Sequence, residues 1–167
     1  MKCNEILTEL ADAPYKIYTV GPVSAKSYIT YYFETDDGTE YKVDNHAIFT
    51  EQRDGEPQYQ LEVAFLARRP DGWSLEATGE SGARAVRVFS TVLECVKRAI
   101  KVHESAGNQI DKIAFGAAHD EPSRVALYKK FAQMAGRYLP GWKYGGEFNA
   151  GFTIQFFLVK SNQNGNS

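Results

Sequence analysis

The stretch from Trp73 to Glu104 constrains the fold of this chain more than any other. It reads WSLEAT, then GESG, then the long amphipathic segment ARAVRVFSTVLECVKRAIKVHES. The pattern predicts a short strand, a glycine turn and a helix, an arrangement that aims free backbone N–H groups at an anion. The same pattern also serves as plain architecture in α/β and α+β domains, so the rest of the chain has to decide between the two.

The helix carries Val88, Val92, Cys95, Ala99 and Val102 at alternating four- and three-residue steps, and Phe89, Val96 and Ile100 widen that stripe into a face. Arg87, Glu94, Lys97, Arg98 and Lys101 fall on the other side, so one face is expected to pack on a sheet. Gly107-Asn108 ends the helix, and IDKIAFGAA follows as a short apolar strand. Strand, helix and strand in this order predict a right-handed parallel crossover that sets the strand at Trp73 beside the strand at Phe115. A second helix begins at DEPSRVALYKKFAQMAGRYL. Asp120 and Glu121 suit a helix N-terminus, Pro122 is tolerated only in the first turn, and Leu127, Phe131, Met134 and Tyr138 continue at helical spacing until Pro140-Gly141.

The N-terminal half has a different period. Residues 4 to 12 place Ile6, Leu7 and Leu10 at helical spacing with Asn4 as a cap and Pro14 as a stop. YKIYTV and SYITYYFET then alternate as strands with one buried face. Asp37-Gly38 predicts a hairpin with a primed turn, because glycine supplies the positive φ. TEYKV returns antiparallel, and the polar segment from Asp44 to Pro57 reads as a connection with Asp54-Gly55 as a second turn, although Ala47-Ile48-Phe49 could prolong a strand. YQLEVAFLARR is a central strand by its apolar run, Arg69-Pro70-Asp71-Gly72 is a tight turn, and GWKYGGEFNAGF is a loop or irregular hairpin before a final strand TIQFFLVK. A single domain is expected over residues 1–160, followed by a polar tail at 161–167.

Composition narrows the function classes. A net charge of −2 lacks the basic surface that phosphate-backbone binding needs. Aromatic residues make up 13% of the chain, and the alternating aromatics of SYITYYF could form a base-stacking platform. Sheet core is the commoner use of such alternation, so nucleic acid is not the expected partner. Cys3 and Cys95 are the only cysteines, and His46, His103 and His119 have no ligand spacing, so neither a disulfide framework nor a metal site is expected. The first residues lack a signal-peptide core and no apolar run is long enough to span a bilayer, which together predict the cytoplasm. There is no G-x-S-x-G elbow and no Walker lysine loop.

The words TGESGARAVRVFSTVLECV and IAFGAAHDEPSRVALYKKFA, set after an antiparallel meander, resemble the GNAT acyltransferase superfamily and, within it, small bacteriophage-encoded acetyltransferase-like proteins. The resemblance covers residues 73–138. It implies an α+β fold with an α/β-type core: a mixed, mostly antiparallel sheet with two main helices packed on it. It also implies acetyl-coenzyme A as cofactor, with Gly79, Glu80, Ser81, Gly82, Ala83 and Arg84 in the place where the family cradles the pyrophosphate. Gly79 stands where the family has Gln or Arg, Arg84 replaces the last small residue, and Glu80 puts a negative charge near the phosphates. Either Arg84 offsets that charge as a phosphate ligand, or coenzyme A binding is weak or absent.

By the same resemblance, Tyr128 in the Leu-Tyr word of RVALYKKFA matches the tyrosine that protonates the departing thiolate. A phenol at its ordinary pKa of ~10 carries the proton this requires, but Tyr128 also falls on the apolar stripe, where packing alone would explain it. The carboxylates available as general base are Glu62 and Glu76, each on an expected strand. His119 sits at a strand end before a helix, where ligands bind in α/β units. The expected activity is acetylation of an amine, on a host protein or metabolite in the cytoplasm of an infected bacterium. The alternative is a GNAT-like scaffold, catalytically weak or inactive, that acts by binding a host protein.

Overall fold

The computed structural model describes residues 13–21, 27–74, 83–118 and 122–161. Its longest unit is a hairpin of two 14-residue strands, β3 (Glu40–Arg53) and β4 (Glu56–Arg69), joined by Asp54-Gly55. Asp54 and Gly55 have φ of 53° and 81°, and two consecutive positive values define the type I′ turn whose twist matches the flanking strands. The segment from Asp44 to Pro57, expected as a connection, is therefore mostly strand. Asp44, Asn45 and Ala47 within it are buried despite their polar surroundings. A bulge between Phe49 and Glu51 absorbs the extra residue Thr50.

The first hairpin differs from expectation in the opposite sense. Between β2 (Tyr28–Glu34) and β3, only Gly38 has a positive φ, 83°. The Gly38 N–H donates to Thr35 O at 2.9 Å and the Thr35 N–H donates to Thr39 O at 2.9 Å. This is a three-residue loop built on a type I turn with a glycine bulge, not a primed two-residue turn.

The described strands form one sheet in the order β1-β2-β3-β4-β6-β8-β7. Here β1 is Ile17–Tyr18, β5 is Gly72–Ser74, β6 is Gln109–Ala118, β7 is Trp142–Asn149 and β8 is Thr153–Lys160. Every pairing is antiparallel except β4 with β6. β5 is a short hairpin return on β4, Ala67 to Arg69 facing Ser74 to Gly72. The parallel partner of β6 is consequently β4, not the strand at Trp73. The tight turn at Arg69-Pro70-Asp71-Gly72 folds β5 back antiparallel, so β5 cannot also run parallel with β6.

Two helices lie on one face of this sheet, α1 (Ala83–Ser105) and α2 (Pro122–Tyr138). The expected stripe of α1 is realised: Val88, Val92, Cys95, Val96, Ala99 and Ile100 are buried, and so are Leu93 and His103. Burying each Val or Leu side chain contributes about 1.5–3 kcal/mol before entropy. α1 contains no Gly or Pro, and Gly107, at a φ of 86°, lets the Asn108 N–H donate back to His103 O at 2.9 Å and close its end. The helix-facing residues of the sheet follow strand alternation: Tyr31 and Phe33, Tyr41 and Val43, Leu61 and Val63, Ile113 and Phe115, Phe156 and Leu158. The result is the α+β architecture that the resemblance implied.

The stretch GWKYGGEFNAGF is an irregular hairpin arm, β7, with a bulge between Tyr144 and Gly146. Gly145 is required there, since a Cβ would lie 2.8 Å from Val159 Cγ1. At the other edge, the segment before β1 is strapped to α1. The Tyr15 N–H donates to Thr91 Oγ1 at 2.9 Å, and the Arg87 guanidinium sits 3.8 Å over the Tyr15 ring while donating to Ala13 O. The helix expected at residues 4–12 and the tail at 162–167 lie outside the described residues.

Candidate active site at the open end of the parallel strands

The ladder between β4 and β6 runs from Gln58↔Gln109 to Val63↔Phe115 and ends there. Both strands continue, β4 to Arg69 and β6 to Ala118. On the same edge of β4, β5 takes over only at Ala67. Residues 64–66 and 116–118 therefore face one another across a gap in the sheet. Backbone N–H and C=O groups left unpaired at such a gap must be met by water or by a ligand.

The helices are aimed at this gap by topology. α1 leaves from the C-terminal side of β4 and returns to β6 at Gln109, which pairs with Gln58 near the start of β4. α2 leaves from the end of β6 and returns to β7 at Trp142, opposite Lys160 at the far end of β8. Both helix N-termini thus lie at the C-terminal end of the parallel pair, the end at which open sheets bind ligands. Neither first turn contains an acidic residue, and their sequences supply Arg84 and Arg124. A helix N-terminus presents about half a positive charge.

The helix side of the gap is floored by aromatic rings. Phe65 on β4 lies 5.1 Å from Tyr128, 5.9 Å from Phe89 and 6.3 Å from Phe131, centroid to centroid. Phe131 also meets Phe89 at 4.6 Å and Phe115 at 5.0 Å. Tyr128 is 5% exposed and held in this cluster. Tyr128 is thus a packed core residue on the helix side of the gap. Phe65, which no sequence motif singled out, is the side chain that joins Tyr128 to the sheet; only its place in the apolar run of β4 could have drawn attention to it.

Glu62 is half-buried on the opposite face of the sheet, where it pairs with His46 on β3 and Ala114 on β6. Strand alternation from Phe65 puts Glu62 and Tyr128 on different sides, so the structure does not bring them together. Glu62 does sit one residue before the ladder ends. Near it on the same face lies a polar group centred on Asp44, which accepts from Thr30 Oγ1 at 2.8 Å and from Tyr28, with Lys42 Nζ at 3.7 Å. Burial and then Asp44 push the Tyr28 phenol above its ordinary pKa. The His46 ring lies 5.1 Å from Tyr28.

Glu76, Gly79, Glu80, Ser81, Gly82 and His119 lie outside the described residues. Ala83 and Arg84 begin α1. The sheet opens between β4 beyond Val63 and β6 beyond Phe115, because β4 is the strand that pairs with β6. Cys95 is no nucleophile: burial pushes its thiol up to about 12, far from the thiolate form. Among the described residues no group of three or more His, Cys, Asp or Glu could hold a metal ion, and no helix is long and apolar enough to cross a membrane.

No protein-family model matches the chain, and no curated protein matches it by sequence. Solved structures of acetyltransferases do resemble it. A chimera of the spermidine N-acetyltransferase SpeG from Vibrio cholerae and hSSAT superposes with a TM-score of 0.41 at 10% identity, over 80% of this chain and 68% of that one. An acetyltransferase of the GNAT family from Streptococcus pneumoniae gives 0.37 at 17% identity, over 80% and 66%. The aminoglycoside N(6')acetyltransferase from Legionella pneumophila gives 0.36 at 12%, over 80% and 63%. The chain spans about two thirds of the length of these structures. Likenesses at this score and identity identify no family.

Proposed function

We propose that the chain is a GNAT-like acyltransferase that takes an acetyl group from acetyl-coenzyme A and places it on an amine. The observation that carries this reading is the parallel ladder that stops at Val63↔Phe115 while both strands run on, at the end where α1 presents its N-terminus. The exposed strand edges suit the amide-bearing arm of coenzyme A, and an acid-free helix start suits its phosphates. When bound, acetyl-coenzyme A would supply the acyl group as an activated thioester. Tyr128, on the helix side, would hold a phenolic proton for the departing sulfur. Glu62, on the open face beside the gap, would take the proton that the acceptor amine must lose, and Glu76 is the other carboxylate for that role. The acceptor would then approach from the face opposite the helices. In a bacteriophage setting it would be an amine of a host protein or metabolite in the host cytoplasm.

Isothermal titration with acetyl-coenzyme A tests the reading, together with release of free thiol in the presence of amines. Binding is expected, lost on Gly82→Trp, while Tyr128→Phe should keep binding and lower turnover about 10²-fold or more. Absence of binding at millimolar ligand would remove the proposal.

A second reading is a scaffold that binds a host protein without catalysis. Phe148 and Phe152, 59% and 94% exposed at the β7–β8 hairpin, favour it as interface anchors. It predicts a stoichiometric partner whose recovery from bacterial lysate is abolished by Phe148→Ser with Phe152→Ser.

A further inference from the structure

A second cavity lies at the other end of α1. Between β1 and the last turns of the helix there is a groove of about 390 Å³ lined by Ile17, Tyr18, Thr19, Tyr31, Arg98, Lys101 and Val102. That volume falls in the range of small-molecule sites, about 300–1,000 Å³. Its walls are mainly apolar, from Ile17, Val102 and the rings of Tyr18 and Tyr31.

The charged groups of the groove are both cationic. Arg98 and Lys101 stand one turn apart on α1, and both are exposed. Arg98 donates through Nε to Glu94 at 3.3 Å, which leaves the other arm of its guanidinium to act elsewhere. Lys101 has no ion-pair partner among the described residues. Tyr31 is only 3% exposed overall and lines the groove. Burial raises its pKa above the ordinary value, which keeps the phenol a donor near neutral pH. The Tyr18 hydroxyl is engaged with Glu40.

We propose that this groove binds a small monocarboxylate with an apolar tail, the carboxylate held by Tyr31, Arg98 and Lys101 and the tail laid against Ile17 and Val102. Two cations and a phenolic donor lining one groove match a carboxylate, which accepts only. The apolar walls give a tail the burial that a small hydrophilic anion could not use. A primary amine of the same tail would meet two like charges, and an alcohol would lose the charge-assisted bonds. This site is independent of the gap between β4 and β6, since α1 separates them by most of its length of about 34 Å.

Decanoate, decanol and decylamine, each below its micellar range, are titrated into the full chain, with methyl NMR shifts of Ile17 and Val102 as the second readout. Decanoate should bind saturably at one site, move both methyls, and bind more tightly than the alcohol or the amine. Arg98→Met with Lys101→Met should weaken it at least about tenfold, because hydrogen bonds to charged groups are worth about 1.5–3 kcal/mol. These two side chains are exposed, so the variant should keep its circular dichroism spectrum and melting temperature. Tyr31→Phe should weaken decanoate without affecting decanol. Equal binding of decanol or decylamine, unchanged affinity in the double variant, or no binding of decanoate up to its solubility would each overturn the proposal.

Discussion

Replacing Phe131 with Ala should be among the most damaging single changes in this protein. The ring is 1% exposed and touches three elements at once: Phe65 on β4, Phe89 on α1 and Phe115 on β6. Truncating a fully buried Phe costs about 3–5 kcal/mol from lost transfer energy and the cavity left behind. Phe131 should fall at the upper end, because the sheet and α1 fix its neighbours on three sides and leave little room for collapse. Domains of this size have a total stability of about 5–15 kcal/mol, so the variant keeps only part of its margin. Urea unfolding followed by far-ultraviolet circular dichroism measures the loss, with an unchanged m-value as evidence that the same cooperative transition is compared. A double-mutant cycle with Phe89→Ala should return a coupling of about 0.5–1.5 kcal/mol for the pair at 4.6 Å. A loss below about 1 kcal/mol would refute the placement of Phe131 as the ring that joins the two helices to the sheet.

Three further outcomes follow from single residues. His103 is fully buried, neither ring nitrogen has a hydrogen-bond partner, and burial lowers its pKa below the ordinary 6.5. On acidification the unfolded chain takes this proton first, so the His103 contribution is intact above pH ~6.5 and is lost as pH falls below it. His103→Leu should flatten the difference in urea midpoint between pH 7.5 and 5.5, and an unchanged difference would contradict the burial of a neutral ring. Gly145→Ala should cost about 1–3 kcal/mol, since its methyl meets Val159 Cγ1 at 2.8 Å, as read by melting temperature. Gly55→Val should destabilise the β3–β4 hairpin by at least about 1 kcal/mol through strain at a φ of 81°, whereas Asp54→Asn should be nearly neutral.

The parts of the fold that local chemistry dictates were legible in the sequence. The stripe from Val88 to Ile100, the glycine stop at Gly107 and the proline start at Pro122 each depend on residues within a turn or two. Pairing was less so. Nothing within WSLEAT distinguishes a strand that runs parallel with β6 from one that folds back on β4, and that choice was made by the tight turn at Pro70-Gly72 and by the length of β4. The polar appearance of Asp44 to Pro57 misled for a related reason. Asp44 and His46 point away from the helices at alternate positions of β3, and Asp44 is buried there with Thr30 donating to it, so their polarity was not the mark of a loop. The Leu-Tyr word drew attention to Tyr128, whereas Phe65, packed against it, carries no motif because its contacts join residues far apart in sequence. The gap in the sheet near the start of α1 is bounded by β4 rather than by β5.

Amide hydrogen exchange with and without acetyl-coenzyme A tests the central claim most directly. If the gap holds the donor, amides within residues 64–66 and 116–118 should gain protection on addition of ligand, with those at the start of α1, while the paired positions from Leu61 to Val63 stay unchanged. No gain of protection in either segment at millimolar acetyl-coenzyme A, or protection confined to other parts of the chain, would contradict it.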